Sequence, residues 1–273
     1  MVWLEFDSLV NARDVGGIAC DDGGTIRPGQ LLRSDNLQSL TEADITQLLE
    51  LGLTDVVDLR SEIEVEHEGP GPLTRRREVT IHHFTYLPSS DHRPLPADDP
   101  ADVSGPENAS ALAENALPWM GKKASVDNDD AIAGHYLSYL SDRPQDVLGA
   151  LRTIAHSDGA CLVHCAAGKD RTGTTVALAL LLAGADREAV VDDYAASAER
   201  VPLIIDRLMG SPLYRQDLEG QPVSAQITRP ESMRAVLDHL DRTAGGPEAA
   251  LTALGWTAQD TAAMRTKLRG PQQ

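Results

Sequence analysis

Apolar positions along the chain follow two rhythms. Leu53-Thr54-Asp55-Val56-Val57-Asp58-Leu59, Glu78-Val79-Thr80-Ile81-His82-His83-Phe84 and Cys161-Leu162-Val163-His164 are short runs of strand length. Between them the spacing turns helical. Thr41, with the acidic Asp44 three positions on, reads as a helix N-cap; Ile45, Leu48, Leu49 and Leu51 follow, and Gly52 ends the helix. Ile132 to Leu140 and Val147 to Ala155 repeat the helical spacing, and further helices are expected at 187–200, 230–243, 247–254 and 257–269. Thr174 to Ala183 is almost wholly apolar, which predicts a helix buried on every side. Strands alternating with helices predict an α/β domain on a mainly parallel central sheet flanked by helices.

Two stretches depart from these rhythms. Residues 11–40 carry Gly16-Gly17, Asp22-Gly23-Gly24 and Pro28-Gly29 between short apolar runs, which reads as strands or turns near a sheet edge. From 88 to 130 the pattern dissolves into Pro, Asp, Ser, Ala and Gly. A loop of that length is uncommon inside a compact domain. It reads as a lid over a site or as a disordered insertion. With no internal repeat, residues 1–273 are expected to form one domain, large enough to bury a core without disulfides or metal.

Composition narrows the setting. Hydrophobic content is 41%, and no run of about 20 apolar residues is present to span a bilayer. The start of the chain lacks the basic and apolar regions of a secretory signal, which points to the cytoplasm. Three cysteines, at 20, 161 and 165, are too few and too odd for a disulfide framework and fit a reducing compartment. The net charge of −18 argues against general nucleic-acid binding, which needs a basic face. It does not exclude an anionic small ligand. Exposed charges are screened beyond roughly 8–10 Å at physiological salt, so a local nest of donors can prevail.

Such a nest is legible between the last predicted strand and the buried helix, in His164-Cys165-Ala166-Ala167-Gly168-Lys169-Asp170-Arg171-Thr172-Gly173. Cys165 and Arg171 are separated by five residues. Ala166, Ala167 and Gly168 are small enough for the backbone to curl and aim its N–H groups inward, and the helix that follows adds partial positive charge. Arg171 offers a planar fork for two phosphate oxygens. The same field favours a thiolate at Cys165, ready to attack phosphorus. Thr172 is placed to donate its hydroxyl to the sulfur as it leaves, and His164 to orient the loop. No cofactor or metal is required. A nucleotide-binding loop would want Gly at 163 and Ser or Thr at 170, where the chain has Val163 and Asp170. Cys161, His164 and Cys165 lack the paired spacing of a zinc site, and Cys161 reads as a small core residue.

These ten residues resemble the H-C-x-x-G-x-x-R-S/T-G signature of the protein tyrosine phosphatase superfamily. Lys169-Asp170 makes the loop similar to that of the bacterial branch typified by the mycobacterial tyrosine phosphatase B. Asn11-Ala12-Arg13-Asp14-Val15-Gly16-Gly17, Leu32-Arg33-Ser34-Asp35-Asn36-Leu37 and Val57-Asp58-Leu59-Arg60-Ser61 resemble further blocks of that branch. The resemblance implies a phosphatase-type fold and activity on phosphotyrosine, with some members accepting phosphoserine, phosphothreonine or phosphoinositides. Lys169 would then engage a second phosphate of a multiply charged substrate, or serve as general positive potential or in an ion pair.

The proton donor to the leaving group is less clearly marked, because no Trp-Pro-Asp segment is present. Asp170, inside the loop, is the first candidate, as the resemblance also suggests; its alternative role is to hold Lys169 or Arg171. Asp91, in Pro88-Ser89-Ser90-Asp91-His92, is the second. Arg13, Asp14, Asp58 and Arg60 are expected to pair structurally. The expected substrate is a phosphorylated protein, with tyrosine or dual specificity. A phosphoinositide, sugar phosphate or nucleotide is the alternative, and a phosphate-binding pseudoenzyme has no need of the nucleophile present here. Oligomeric state is not legible.

Overall fold

The structure is a computed structural model that describes residues 1–69, 71–87 and 124–270. Among the described residues six strands form one sheet: β1 (Val2–Trp3), β2 (Arg13–Asp14), β3 (Leu31–Ser34), β4 (Leu53–Asp58), β5 (Thr80–His83) and β6 (Ala160–His164). Their order is β1-β2-β3-β6-β4-β5. Strands β3, β6, β4 and β5 run parallel, and β1 and β2 add an antiparallel border on β3. The glycine-rich stretch 11–40 therefore differs in part from its reading as an edge. Leu31–Ser34 is wholly buried against β6, and only β2 lies towards the border.

The described α-helices are α1 (Glu42–Glu50), α2 (Glu62–Glu68), α3 (Ala131–Asp142), α4 (Pro144–His156), α5 (Arg171–Leu182), α6 (Arg187–Ala196), α7 (Val201–Met209), α8 (Pro212–Leu218), α9 (Pro230–Ala244), α10 (Pro247–Leu254) and α11 (Ala258–Arg269). Their ends follow local chemistry. Thr41 and Asp44 cap α1 reciprocally, as the sequence predicts. Ser61 and Glu64 form the same box on α2, a helix the hydrophobic pattern does not announce because every position but Ile63 and Val65 is glutamate or histidine. The expected helix 187–200 closes at Ala196 and tightens into a 3₁₀ turn over Ser197–Arg200. None of the described helices is long and apolar enough to cross a membrane.

Side chains of β6 alternate between two cores. Cys161 and Val163 join the larger one with α4 and α5, while Leu162 joins Leu32, Val56 and Leu48 on the opposite face. Cys161 is thus the core residue expected. The sheet register aligns Ser34, His164 and Asp58 at one level, so three parallel strands end together around the exit of β6. That carboxyl edge is where open α/β sheets place their ligands. Of the stretch 88–130, residues 88–123 lie outside the described residues. Asp130 caps α3 by accepting from Ala133 N at 2.9 Å and reaches α9 through the Ser232 hydroxyl at 2.8 Å.

Candidate active site

Between β6 and α5 the backbone makes a tight loop whose carbonyls are claimed from outside. The Ala166 carbonyl accepts from Asn36 N at 3.1 Å, that of Ala167 from Asn11 Nδ2 at 2.9 Å, and that of Gly168 from Arg33 Nη2 at 2.9 Å. In a trans peptide the next N–H points the opposite way. Pinning three consecutive carbonyls outward therefore turns the N–H groups of Ala167, Gly168 and Lys169 towards the concavity. Gly168 is required here. Its φ is +68°, and a Cβ would stand 2.4 Å from the Ser34 carbonyl oxygen. The start of α5 closes the ring, with Gly173 N on the Lys169 carbonyl and Thr174 N on that of Asp170. An N–H nest at a helix N-terminus is built to hold an anion.

Cys165 sits at the mouth of β6, 2% exposed. Arg171, in the first turn of α5, is equally buried and is clamped from behind. Its Nη1 and Nη2 donate to the two oxygens of Glu64 at 2.5 and 2.9 Å, and Nη1 also reaches the Leu59 carbonyl at 3.1 Å. Its Nε is buried with no partner among the described residues. The sequence reading missed Glu64. Its signal was the Ser61-x-x-Glu64 capping box, which explains one hydrogen bond of the carboxylate but not its other partners. Glu64 accepts from Ser61 N at 2.6 Å, from Arg171, and from the Tyr214 hydroxyl of α8 at 3.0 Å.

The remaining loop residues fall as follows. Asp170 is buried and accepts from the Tyr136 hydroxyl of α3, which also contacts the Tyr194 hydroxyl at 2.9 Å. Lys169 is buried beside it, with Nζ 3.0 Å from Asp170 Oδ2. Burial pushes the Tyr136 hydroxyl well above its ordinary pKa, and the neighbouring Asp170 charge adds to the rise, so Tyr136 is held as a donor. The Thr172 hydroxyl is buried with no hydrogen-bond partner among the described residues, the Cys165 sulfur included. His164 stacks the two levels of the site: Nδ1 is 3.4 Å from the Cys165 carbonyl and Nε2 is 3.6 Å from Asp58 Oδ1. Burial brings His164 down to about 4 despite Asp58, so the ring is neutral at neutral pH. Asp91 lies outside the described residues.

The pairings expected of the other polar residues are formed. Arg13 meets Asp193 at 2.9 Å and Arg60 meets Asp58 at 2.6 Å, whereas Asp14 accepts from the backbone N–H groups of Gly16 and Gly29. Above the loop stands a wall the sequence reading also missed. Val201, Ile204, Ile205 and Leu208 of α7, spaced i, i+3, i+4, i+7, line a pocket with Cys165 and Arg171. Its cavity volume is about 20 Å³, room for roughly one water.

A family model described as the tyrosine phosphatase family matches residues 4–270. The triple specificity protein phosphatase PtpB of Mycobacterium tuberculosis is 33% identical over 245 residues, covering 87% of this chain and 84% of that protein. A tyrosine-protein phosphatase of Nostoc commune is 28% identical over 87% of this chain and 73% of its own length. A putative tyrosine-protein phosphatase of Cupriavidus necator is 28% identical over 72% of this chain, and the match spans 63% of that protein.

Proposed function

Since this chain belongs to the tyrosine phosphatase family, we propose that Cys165 is its nucleophile and that the loop from His164 to Gly173 receives the phosphoryl group. The enzyme is a phosphoric monoester hydrolase of the protein tyrosine or dual-specificity kind. The observation that carries the site assignment is the outward pinning of three consecutive loop carbonyls, because it leaves the intervening N–H groups preorganised for an oxyanion.

In the first step the Cys165 thiolate attacks phosphorus in line with the ester oxygen. The S–P bond forms, the P–O bond to the leaving group breaks, and Asp170 in its acid form gives that oxygen its proton. Arg171, fixed by Glu64, holds two equatorial oxygens as charge spreads over them. In the second step water attacks the cysteinyl phosphate, Asp170 takes a proton from it, and the S–P bond breaks. The Thr172 hydroxyl, unclaimed by its described neighbours, turns to the departing sulfur. Phosphate then leaves. Lys169 and Tyr136 hold Asp170 in position for both transfers. The apolar wall of α7 favours an aromatic leaving group, and with it phosphotyrosine.

The test is a phosphatase assay over phosphotyrosine and phosphoserine peptides, phosphoinositides and soluble phosphate esters, with Cys165→Ser alongside. Loss of turnover on every substrate in the serine variant is expected; retained turnover would remove the thiol mechanism. Asp170→Ala should cost roughly 10²–10⁴ with alkyl phosphates and far less with p-nitrophenyl phosphate, whose leaving group needs no proton. An equal loss on both would take the acid role from Asp170.

A further inference from the structure

Asp193 lies in α6, outside the loop, and is buried. Each of its oxygens takes one arginine: Oδ1 accepts from Arg13 Nε at 2.9 Å and Oδ2 from Arg33 Nη1 at 2.5 Å. Arg33 passes its second terminal nitrogen to the Gly168 carbonyl at 2.9 Å. Arg13 passes Nη1 to Asn11 Oδ1 at 3.0 Å, and Asn11 Nδ2 continues to the Ala167 carbonyl at 2.9 Å. The remaining Arg13 nitrogen is fixed by the Asp193 carbonyl and the Ser197 hydroxyl, at 2.7 and 3.1 Å. One carboxylate is therefore the root of two arms that end on successive carbonyls of the phosphate loop.

Stability alone is a weak reason for such a cluster. Burying charged groups carries a desolvation cost, and well-packed apolar residues often do as well or better. Burial raises the Asp193 carboxyl, but Arg13 and Arg33 outweigh it and hold the group below the ordinary carboxylate range. Burial and the Arg33 charge bring Arg13 down to about 10, which leaves it a cation at neutral pH. Two cations and one anion place a net positive charge beneath a loop that must receive a dianion. What the charged cluster supplies and an apolar one cannot is direction. Planar guanidinium forks fix the angle as well as the distance of the carbonyls they hold.

We propose that Asp193 is a positioning residue for phosphoryl transfer, acting through Arg33 and through Arg13 and Asn11 to fix the peptide planes that carry the N–H groups of Gly168 and Lys169. This rests on the reading of the loop as the phosphate site. Asp193 touches no substrate; its effect is the preorganisation of donors that otherwise have to be ordered at each turnover.

The experiment compares inhibition by orthovanadate and by inorganic phosphate in the parent and in Arg33→Lys, Asn11→Ala and Asp193→Asn, each well below its own melting temperature. Lysine keeps the charge at 33 but cannot join Asp193 to Gly168 as a fork, and Asn11→Ala cuts the other arm without removing an ion pair. Each is expected to weaken vanadate roughly tenfold, the scale of a lost hydrogen bond to a charged group. The double variant Asp193→Asn/Arg33→Lys should be no weaker than the weaker single variant, since Asp193→Asn already releases the arm that Arg33 forms. Should Asp193→Asn fail to fold, the two milder variants decide. If both are folded and bind vanadate within about twofold of the parent, within the noise of independent sites, the proposal falls. A parent that neither anion inhibits would instead remove the phosphate-site reading beneath it.

Discussion

Glu64 is a carboxylate that fixes the arginine of a loop it does not belong to. It neutralises Arg171 from behind and leaves the Nε edge of the guanidinium unclaimed by described neighbours. Glu64→Gln keeps the shape but cannot accept both guanidinium hydrogen bonds, so Arg171 should lose its fixed angle. A kcat/KM lower by roughly 10–100-fold is expected, the scale of hydrogen bonds to charged groups. Unchanged kcat/KM would mean that Arg171 is held by the Leu59 carbonyl alone. His164 makes a second case, through linkage. Its folded pKa, lowered by burial to about 4, lies below the ordinary value near 6.5, so between those two pH values the unfolded chain binds the proton and the folded one does not. Stability is then fully present above pH 6.5 and declines as pH falls towards 4, by about 3 kcal/mol from this residue. Melting curves from pH 7 to 4 should show a shallower decline for His164→Gln than for the parent. Equal slopes would show that His164 is not buried as a neutral ring.

At the scale of elements, legibility depended on where each element buries its apolar side. β4, β5, β6, α1 and α5 have strong apolar runs or explicit caps, and the sequence reads them at nearly their observed bounds. The signature loop was readable as the turn from β6 into α5 around Cys165 and Arg171, because backbone curvature and anion binding both demand short, specific residue types. Glu64 was not, because its catalytic-side partners come from α5 and α8, more than a hundred residues away in the chain. β3 looked like an edge because Gly16, Gly17 and Gly29 surround it, yet its four residues fit between β2 and β6. Helix α7 carried a readable pattern, and its apolar face is spent on the pocket over Cys165 rather than on either main core. Ile204 is buried in that face and lines the pocket beside Cys165. Ile204→Ala should therefore raise the rate at which iodoacetamide alkylates Cys165, while lowering stability by about 2–4 kcal/mol as a buried aliphatic truncation does. An alkylation rate equal to that of the parent would show that Ile204 does not limit access.

Across the whole molecule, buried charges are mostly paired and exposed ones set the net sign. The surface contributes most of a net charge of −18, whereas at the loop buried Arg13, Arg33, Lys169 and Arg171 are paired with the carboxylates of Asp193, Asp170 and Glu64. These two fields act over different ranges. The buried cations work at hydrogen-bond distance in a medium where salt screens little, and the surface field acts on a substrate still in solution, where the screening length is about 8 Å at 0.15 M salt. Capture should then depend on the charge of the peptide around its phosphate, and chemistry should not. An acidic phosphotyrosine peptide approaching a net anionic surface is slowed, and a basic one of equal length is drawn in. At about 10 mM salt kcat/KM should favour the basic peptide, with the gap narrowing as salt is raised towards 0.5 M while kcat stays nearly level. The acidic peptide should gain from added salt and the basic one should lose. If both peptides respond to salt in the same direction, the acidic surface has no part in selecting substrates, and selection rests on the apolar pocket and the loop alone.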